Sequence, residues 1–337
     1  MPDVVIQNPV INSPFTVPAR HFEFGDRGIT GKINEGRRQS SYFVPIPHGR
    51  RQTAQLSLEA EWTKDRLRDN ELVNRIREKV ATWRKGGHAG VTATTARLLD
   101  YWTAPERDRR LFFCQIEALE TAIYLNEVAS KYGDAWMDNQ LREANETGGN
   151  PDLFRVALKM ATGSGKTVVM CMLIAWQALN KFANPQDARF SDAFLIVCPG
   201  ITIRDRLRVL WPNDPENYYR QRDVLPPDLL EKLERAKIVI TNYHGFLPRE
   251  RGDAARLTKK LLGSDVTGAF TETPDQVVHR VCRELGNKKS VIVLNDEAHH
   301  CYRGRPDAAD DHRQHQRHLS PDRHSPQRHH RRRCLRR

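Results

Sequence analysis

The sequence predicts an α/β fold in which a parallel sheet carries helices on both faces, and three stretches predict it. Met160 to Thr167 reads Met-Ala-Thr-Gly-Ser-Gly-Lys-Thr, between a short apolar segment, Phe154–Leu158, and a long apolar run, Val168–Leu179. Ala193–Cys198 is continuously apolar, as a strand buried on both faces must be, and Pro199-Gly200 ends it. Ser290–Leu294 runs into Asp296-Glu297-Ala298-His299. Strands alternating with helices form a parallel sheet with connections of one hand. Such sheets bind ligands at the carboxyl ends of their strands, where all three polar strings fall.

The elements follow in order. Residues 1 to about 55 are rich in Pro, Gly and β-formers, and Ser41–Ile46 reads as a short strand. From Leu56 to Lys85 the pattern is helical, with Leu72, Val73, Ile76, Val80 and Trp83 on one face and Gly86-Gly87 as the stop. Thr92–Trp102 is a second helix that Pro105 closes, and Leu111–Lys131 is a third. The polar stretch Glu143–Asp152 reads as a loop into the strand Phe154–Leu158, with the Val168–Leu179 helix behind it. After Ala193–Cys198, helices are expected at Ile203–Leu210 and Asp228–Arg235, with a strand at Lys237–Thr241 between them and the charged segment Arg249–Asp265. Thr273-Pro274-Asp275 caps a helix running to Leu285, where Gly286 stops it. This divides the chain into a small mixed α/β accessory region (1–108), a nucleotide-binding domain (109–304) and a tail (305–337).

Charge separates the tail from the rest. The chain carries 54 Lys+Arg against 42 Asp+Glu, a net +12. From Cys301 onward there are eleven Arg against four Asp, so that stretch alone holds +7 of the +12. The tail has almost no apolar residues and is expected to be disordered. Its histidines, including His312, His315 and His318, follow no metal-site spacing. An Arg-rich arm binds phosphate backbones nonspecifically. The abrupt change after Gly304 also fits a shifted reading frame. Six scattered cysteines without a Cys-x-x-Cys pair fit a reduced cytoplasmic protein, and no apolar run is long enough to span a membrane.

The loop at Met160–Thr167 has the chemistry of a phosphate cradle. Gly163 and Gly165 allow a backbone curl that points N–H groups inward, and the following helix adds its positive end. Thr162 and Ser164 complete the loop, Lys166 reaches the terminal phosphates and the Thr167 hydroxyl ligates Mg²⁺. Asp296 supplies a second metal contact, and Glu297 orients and deprotonates the water that attacks the γ-phosphate. His299 and His300 leave three readings open: contact on the γ-phosphate side, coupling of the two halves of a motor, or plain packing. An isolated Asp-Glu pair is commonly just solvated, but this one follows a buried strand downstream of a phosphate loop.

Ala161–Thr167 together with Asp296-Glu-Ala-His299 resembles motifs I and II of superfamily 2 helicases, which often lack the first Gly, here Met160. Lys-Met-Ala-Thr-Gly-Ser-Gly-Lys-Thr and Asn-Asp-Glu-Ala-His-His resemble the helicase (Res) subunit of type III restriction enzymes. The resemblance covers Leu111–Arg303 and implies a RecA-like P-loop NTPase lobe using ATP and Mg²⁺. It implies that Gln115 reads the adenine edge. It places Pro199, Gly200 and Arg204, and then Thr241 and Asn242, on the DNA backbone. It also implies double-stranded DNA and a modification methyltransferase subunit as partners. The family's second motor lobe, with its arginine finger, and its nuclease domain have no counterpart in these residues. The expectation is a chain that binds ATP–Mg²⁺ and hydrolyses it weakly. The alternative is an inactive nucleotide- and DNA-binding remnant. A small-molecule kinase shares the loop, but the Asp-Glu-Ala-His string argues against it.

Overall fold

The computed structural model describes residues 6, 8–25, 28–43, 67–146, 154–249 and 271–297. Residues up to Leu294 form one compact unit, and Asn295–Arg337 form a second. In the first unit the chain opens with an antiparallel hairpin, β1 (Arg20–Gly25) and β2 (Gly28–Glu35). Next comes β3 (Ser41–Phe43), which pairs antiparallel with β4 (Leu67–Asp69). The strand at β4 replaces part of the helix expected from Leu56. Helix periodicity is a local signal, whereas the pairing of Leu67–Asp69 with Ser41–Phe43 is a long-range contact.

The helix α1 (Glu71–Lys85) buries Ile76, Val80 and Trp83 as their spacing requires, and Gly86 and Gly87 end it, the latter at φ +76°. Thr92 caps α2 (Ala93–Thr103) by accepting from the Thr95 N–H. The third helix, α3 (Phe113–Ile123), widens into a π-helical turn, Tyr124–Val128. The next helix, α4 (Trp136–Glu146), was not expected, and its last turn occupies the start of the predicted loop.

The phosphate-loop helix α5 (Lys166–Ala183) is the axis of the core: twelve of its eighteen residues are buried, so no face is left for solvent along most of its length. It packs against α2, α3 and a later helix, α8. Behind it come β5 (Ala193–Cys198), α6 (Ile201–Arg206) with a 3₁₀ turn to Leu210, and the short α7 (Tyr218–Gln221). Then follow α8 (Pro227–Leu233), β6 (Lys237–Asn242), α9 (Pro274–Val281) and β7 (Ile292–Asn295). The sheet is parallel with order β6-β5-β7, and helices flank it. The charged segment Arg249–Asp265 lies, but for Arg249, outside the described residues. Among the described residues no helix is long and apolar enough to cross a membrane.

One predicted strand does not form. Phe154–Leu158 belongs to no ladder among the described residues, and Phe154 and Val156 are 40% and 45% exposed. Leu158 and Met160 still pack on the core. A short apolar run specifies an extended backbone; a strand also needs a hydrogen-bonded neighbour, which the run does not encode.

Two fully buried carboxylates fix the front helices. Glu120 of α3 accepts from Arg84 (Nε, 2.8 Å) and from the His88 ring (2.8 Å). Burial would raise its carboxyl, but the His88 and Arg84 hydrogen bonds prevail and hold it below the usual range. Glu127, in the π-turn, is met by donors from α2 and α5 instead. They are the Thr92 N–H (2.9 Å), the Thr95 hydroxyl (2.7 Å) and the Trp176 indole N–H (2.7 Å).

Candidate functional site

The loop before α5 takes the geometry its glycines allow. Gly163 and Gly165 both stand at φ +80°, the left-handed region where an L side chain is strained. The Ser164 N–H and hydroxyl both donate to the Ala161 carbonyl (3.3 and 2.6 Å), which closes the turn. The Gly165 carbonyl accepts from Val168 (2.9 Å) and Val169 (3.3 Å), starting the helix with Lys166 and Thr167 in its first turn. The first amides of a helix lack carbonyl partners within it and carry its positive end, so this turn is suited to an anion. A Cβ on Gly163 would meet nothing within 4 Å, so the loop is open there. Thr162 is exposed, while Ser164, Lys166 and Thr167 are half-buried. This donor set fits a magnesium-bound polyphosphate.

Gln115 reaches this loop directly. Its Nε2 donates to the Ser164 carbonyl (3.0 Å), and its Oε1 accepts from the Phe112 N–H (2.9 Å) at the start of α3. The residue is 5% exposed. A Cβ on Gly165 would lie 2.2 Å from that Nε2, so Gly165 is required both by its φ and by the approach of Gln115. The amide keeps one N–H and one lone pair beyond these two bonds, the complement of an adenine edge. Neighbouring Cys114 has its thiol pushed up by burial.

A second cluster forms at the carboxyl edge of the sheet. The register pairs Val197 with Thr241 and Cys198 with Asn242, which brings Pro199-Gly200 and Thr241-Asn242 to the ends of adjacent strands. Gly200 is the N-cap of α6. Asn242 is 9% exposed, and its Oδ1 accepts from the Gly245 N–H (3.0 Å), capping the turn Tyr243–Phe246. The Thr241 hydroxyl donates to the Asn242 carbonyl (3.2 Å). The Arg204 guanidinium pairs with Asp205 (2.9 Å). Sequence reasoning passed over Arg280 of α9, which donates to the Gly245 carbonyl (3.0 Å), the Leu247 carbonyl (3.2 Å) and both oxygens of Glu272. Hydrogen bonds from Arg280 and the Arg249 N–H hold the Glu272 carboxyl down at about 2. No local pattern marks Arg280, because the Gly245 and Leu247 carbonyls it grips lie more than thirty residues away.

Asp296 and Glu297 follow β7 in a turn, both half-buried, with Glu297 at φ +55°. Such a backbone is uncommon outside Gly, Asn and Asp, and it recurs where a side chain is aimed for function. His299 lies outside the described residues.

A left-handed double-glycine turn feeding a buried helix, beside a parallel sheet, is the backbone arrangement of a phosphate-binding loop. A family model described as type III restriction enzyme, res subunit, matches residues 108–321, well over half of the chain. The chain belongs to that family, whose domain is of the superfamily 2 helicase type and whose members are ATP-hydrolysing motors. No curated relative and no solved structure matches it significantly.

Proposed function

We propose that this chain binds ATP–Mg²⁺ at the Met160–Thr167 loop and couples its hydrolysis to movement along double-stranded DNA. In this reading it is part of a restriction enzyme that works with a modification methyltransferase subunit. The observation that carries the reading is the pair of left-handed glycines, Gly163 and Gly165, at the mouth of α5. Lys166 would hold the terminal phosphates, and Thr167 and Asp296 would hold Mg²⁺, which would supply charge neutralisation at the phosphoryl oxygens. Glu297 takes the proton of the attacking water, and His299 contacts the γ-phosphate side. Gln115 turns its remaining N–H and lone pair to adenine while it holds the loop through Ser164. Pro199, Gly200, Arg204, Thr241 and Asn242 line the DNA track.

Titration calorimetry with ATP–Mg²⁺ and a steady-state ATPase assay with duplex DNA test this. Lys166→Ala abolishes nucleotide binding; Glu297→Gln retains binding and loses DNA-stimulated turnover by about a hundredfold or more, as loss of a general base does. Unchanged affinity in Lys166→Ala would overturn the loop assignment. Wild-type binding without DNA-stimulated turnover would remove the motor function and leave a nucleotide-binding protein.

A further inference from the structure

We propose that the N-terminal segment 12–37 is a strap that positions Gln115 for nucleotide, with Arg37 as its positioning residue. The inference rests on the reading of Gln115 as a nucleotide contact and adds what sets its place. Gln115 holds the phosphate loop through one hydrogen bond, so its position comes from the start of α3. Two successive amides open that helix. The Phe112 N–H donates to Gln115 itself (2.9 Å), and the Phe113 N–H donates to the Pro14 carbonyl (2.8 Å). Amides of a first helical turn have no carbonyl partner within their own helix, so the distant segment closes an end that α3 cannot close. The second grip is Arg37. Its guanidinium meets the Glu117 carboxylate in a two-pronged pair (2.5 and 2.6 Å) and lies 5.7 Å from the centre of the Phe113 ring. A helix turns about 100° per residue, so Glu117 and Gln115 leave α3 on nearly opposite sides. The strap grips one side, and the phosphate loop is met from the other.

The strap is itself tied down, so it can pass on a fixed position. The Asn12 Oδ1 accepts from the Ala19 N–H (2.9 Å) and the Arg20 N–H (3.0 Å), and its Nδ2 donates to the Arg20 carbonyl (2.8 Å). These bonds close the loop that carries Pro14. The Gly36 N–H donates to the Ala19 carbonyl (2.6 Å), and the His21 ring bonds the Gly36 carbonyl (2.8 Å), which joins that loop to the bend before Arg37. Just beyond, Asn74 of α1 holds both the Ser40 N–H (2.8 Å) and the Ser40 carbonyl (3.1 Å). The Arg37 and Glu117 side chains are 28% and 13% exposed, so water and salt screen the pair less than one on the open surface. Arg84 of α1 also approaches Glu117, at 3.9 Å, so the carboxylate keeps a cation when Arg37 is removed. The strap can therefore be loosened without leaving a half-buried charge alone.

Titration calorimetry with ATP–Mg²⁺ on the full chain tests this in a double-mutant cycle. Arg37→Ala weakens binding about fivefold, the low end of coupling between linked sites, and Glu117→Gln reproduces the loss from the other partner. In a Gln115→Ala background Arg37→Ala costs nothing further, because its effect passes through that side chain. Arg38→Ala is the control. That guanidinium lies 4.1 Å from the centre of the Phe24 ring, within the N-terminal hairpin, and its loss leaves the affinity unchanged. Coupling is reciprocal, so ATP–Mg²⁺ slows hydrogen exchange of the Phe113 amide in the wild type and has no such effect in Gln115→Ala. No loss of affinity in Arg37→Ala, or an equal loss with Gln115 already removed, overturns the strap while the nucleotide reading stands. A wild-type chain that binds no ATP–Mg²⁺ overturns the nucleotide reading and the strap with it.

Discussion

The two ends of helix α3 both bury a polar side chain against the phosphate-loop helix, and they do so in different ways. At its start, Gln115 touches the loop through one neutral hydrogen bond to a backbone carbonyl. At its far end, in the π-turn, Glu127 gathers three donors, one of them the Trp176 indole of α5, while Asn180 of α5 bonds the Thr95 hydroxyl (2.9 Å). A neutral hydrogen bond contributes about 1 kcal/mol net, whereas each buried donor left unpaired costs about 1–3 kcal/mol. The front contact can therefore loosen at small cost, and the rear one cannot. The helix is anchored behind and adjustable at the phosphate loop. In the proposed function, where this loop accepts and releases a nucleotide, the asymmetry leaves the loop free to adjust while the helix stays anchored.

Substitutions along α3 and the loop sharpen that contrast. The largest effect is expected at the rear: Glu127→Ala strands the Trp176 and Thr92 N–H groups and costs about 3 kcal/mol or more. A thermal melt should fall by roughly 6–12 °C, and a fall of only a degree or two would mean that water replaces the carboxylate. The next effect is at Gly165, where Ala is strained by about 1–2 kcal/mol at φ +80° and its Cβ collides with Gln115. ATP affinity should drop more than tenfold. Adding Gln115→Ala should recover part of the stability, a coupling that a double-mutant cycle measures. Additive effects would remove Gln115 as the neighbour that excludes a side chain there. The smallest effect is Gln115→Ala alone, about 1 kcal/mol of stability by denaturant titration. A loss as large as that of Glu127→Ala would dissolve the comparison.

Much of the site was legible because its signals are local. The glycines at 163 and 165 adopt the left-handed backbone their positions implied, and α5 (Lys166–Ala183) contains the predicted Val168–Leu179 run and extends it at both ends. The β5 strand has the bounds of its apolar run, and β6 extends the predicted Lys237–Thr241 by one residue. Gln115 was marked by its place in a motif, but its grip on Ser164 was not, because that bond joins residues far apart in the chain. The accessory region was separated at residue 108 on pattern alone. In the structure α1 and α2 share one compact unit with α5, tied through Glu120 and Glu127. Nothing local in the helical pattern announces a buried partner for those carboxylates.

The sequence by itself determined the glycine turn at 163–165, the helix behind it and the strands that end at Cys198 and Asn242. Glycine conformation, helix starts and continuous apolar runs act within a few residues, so local composition suffices for them. Tertiary structure alone decided that Phe154–Leu158 stays out of a ladder and that Leu67–Asp69 enters one. It also decided that Gln115 braces the loop and that Tyr243 faces outward on a clamped turn. Each of these depends on a partner distant along the chain, and a hydrogen bond or a buried face exists only once folding has brought that partner into contact.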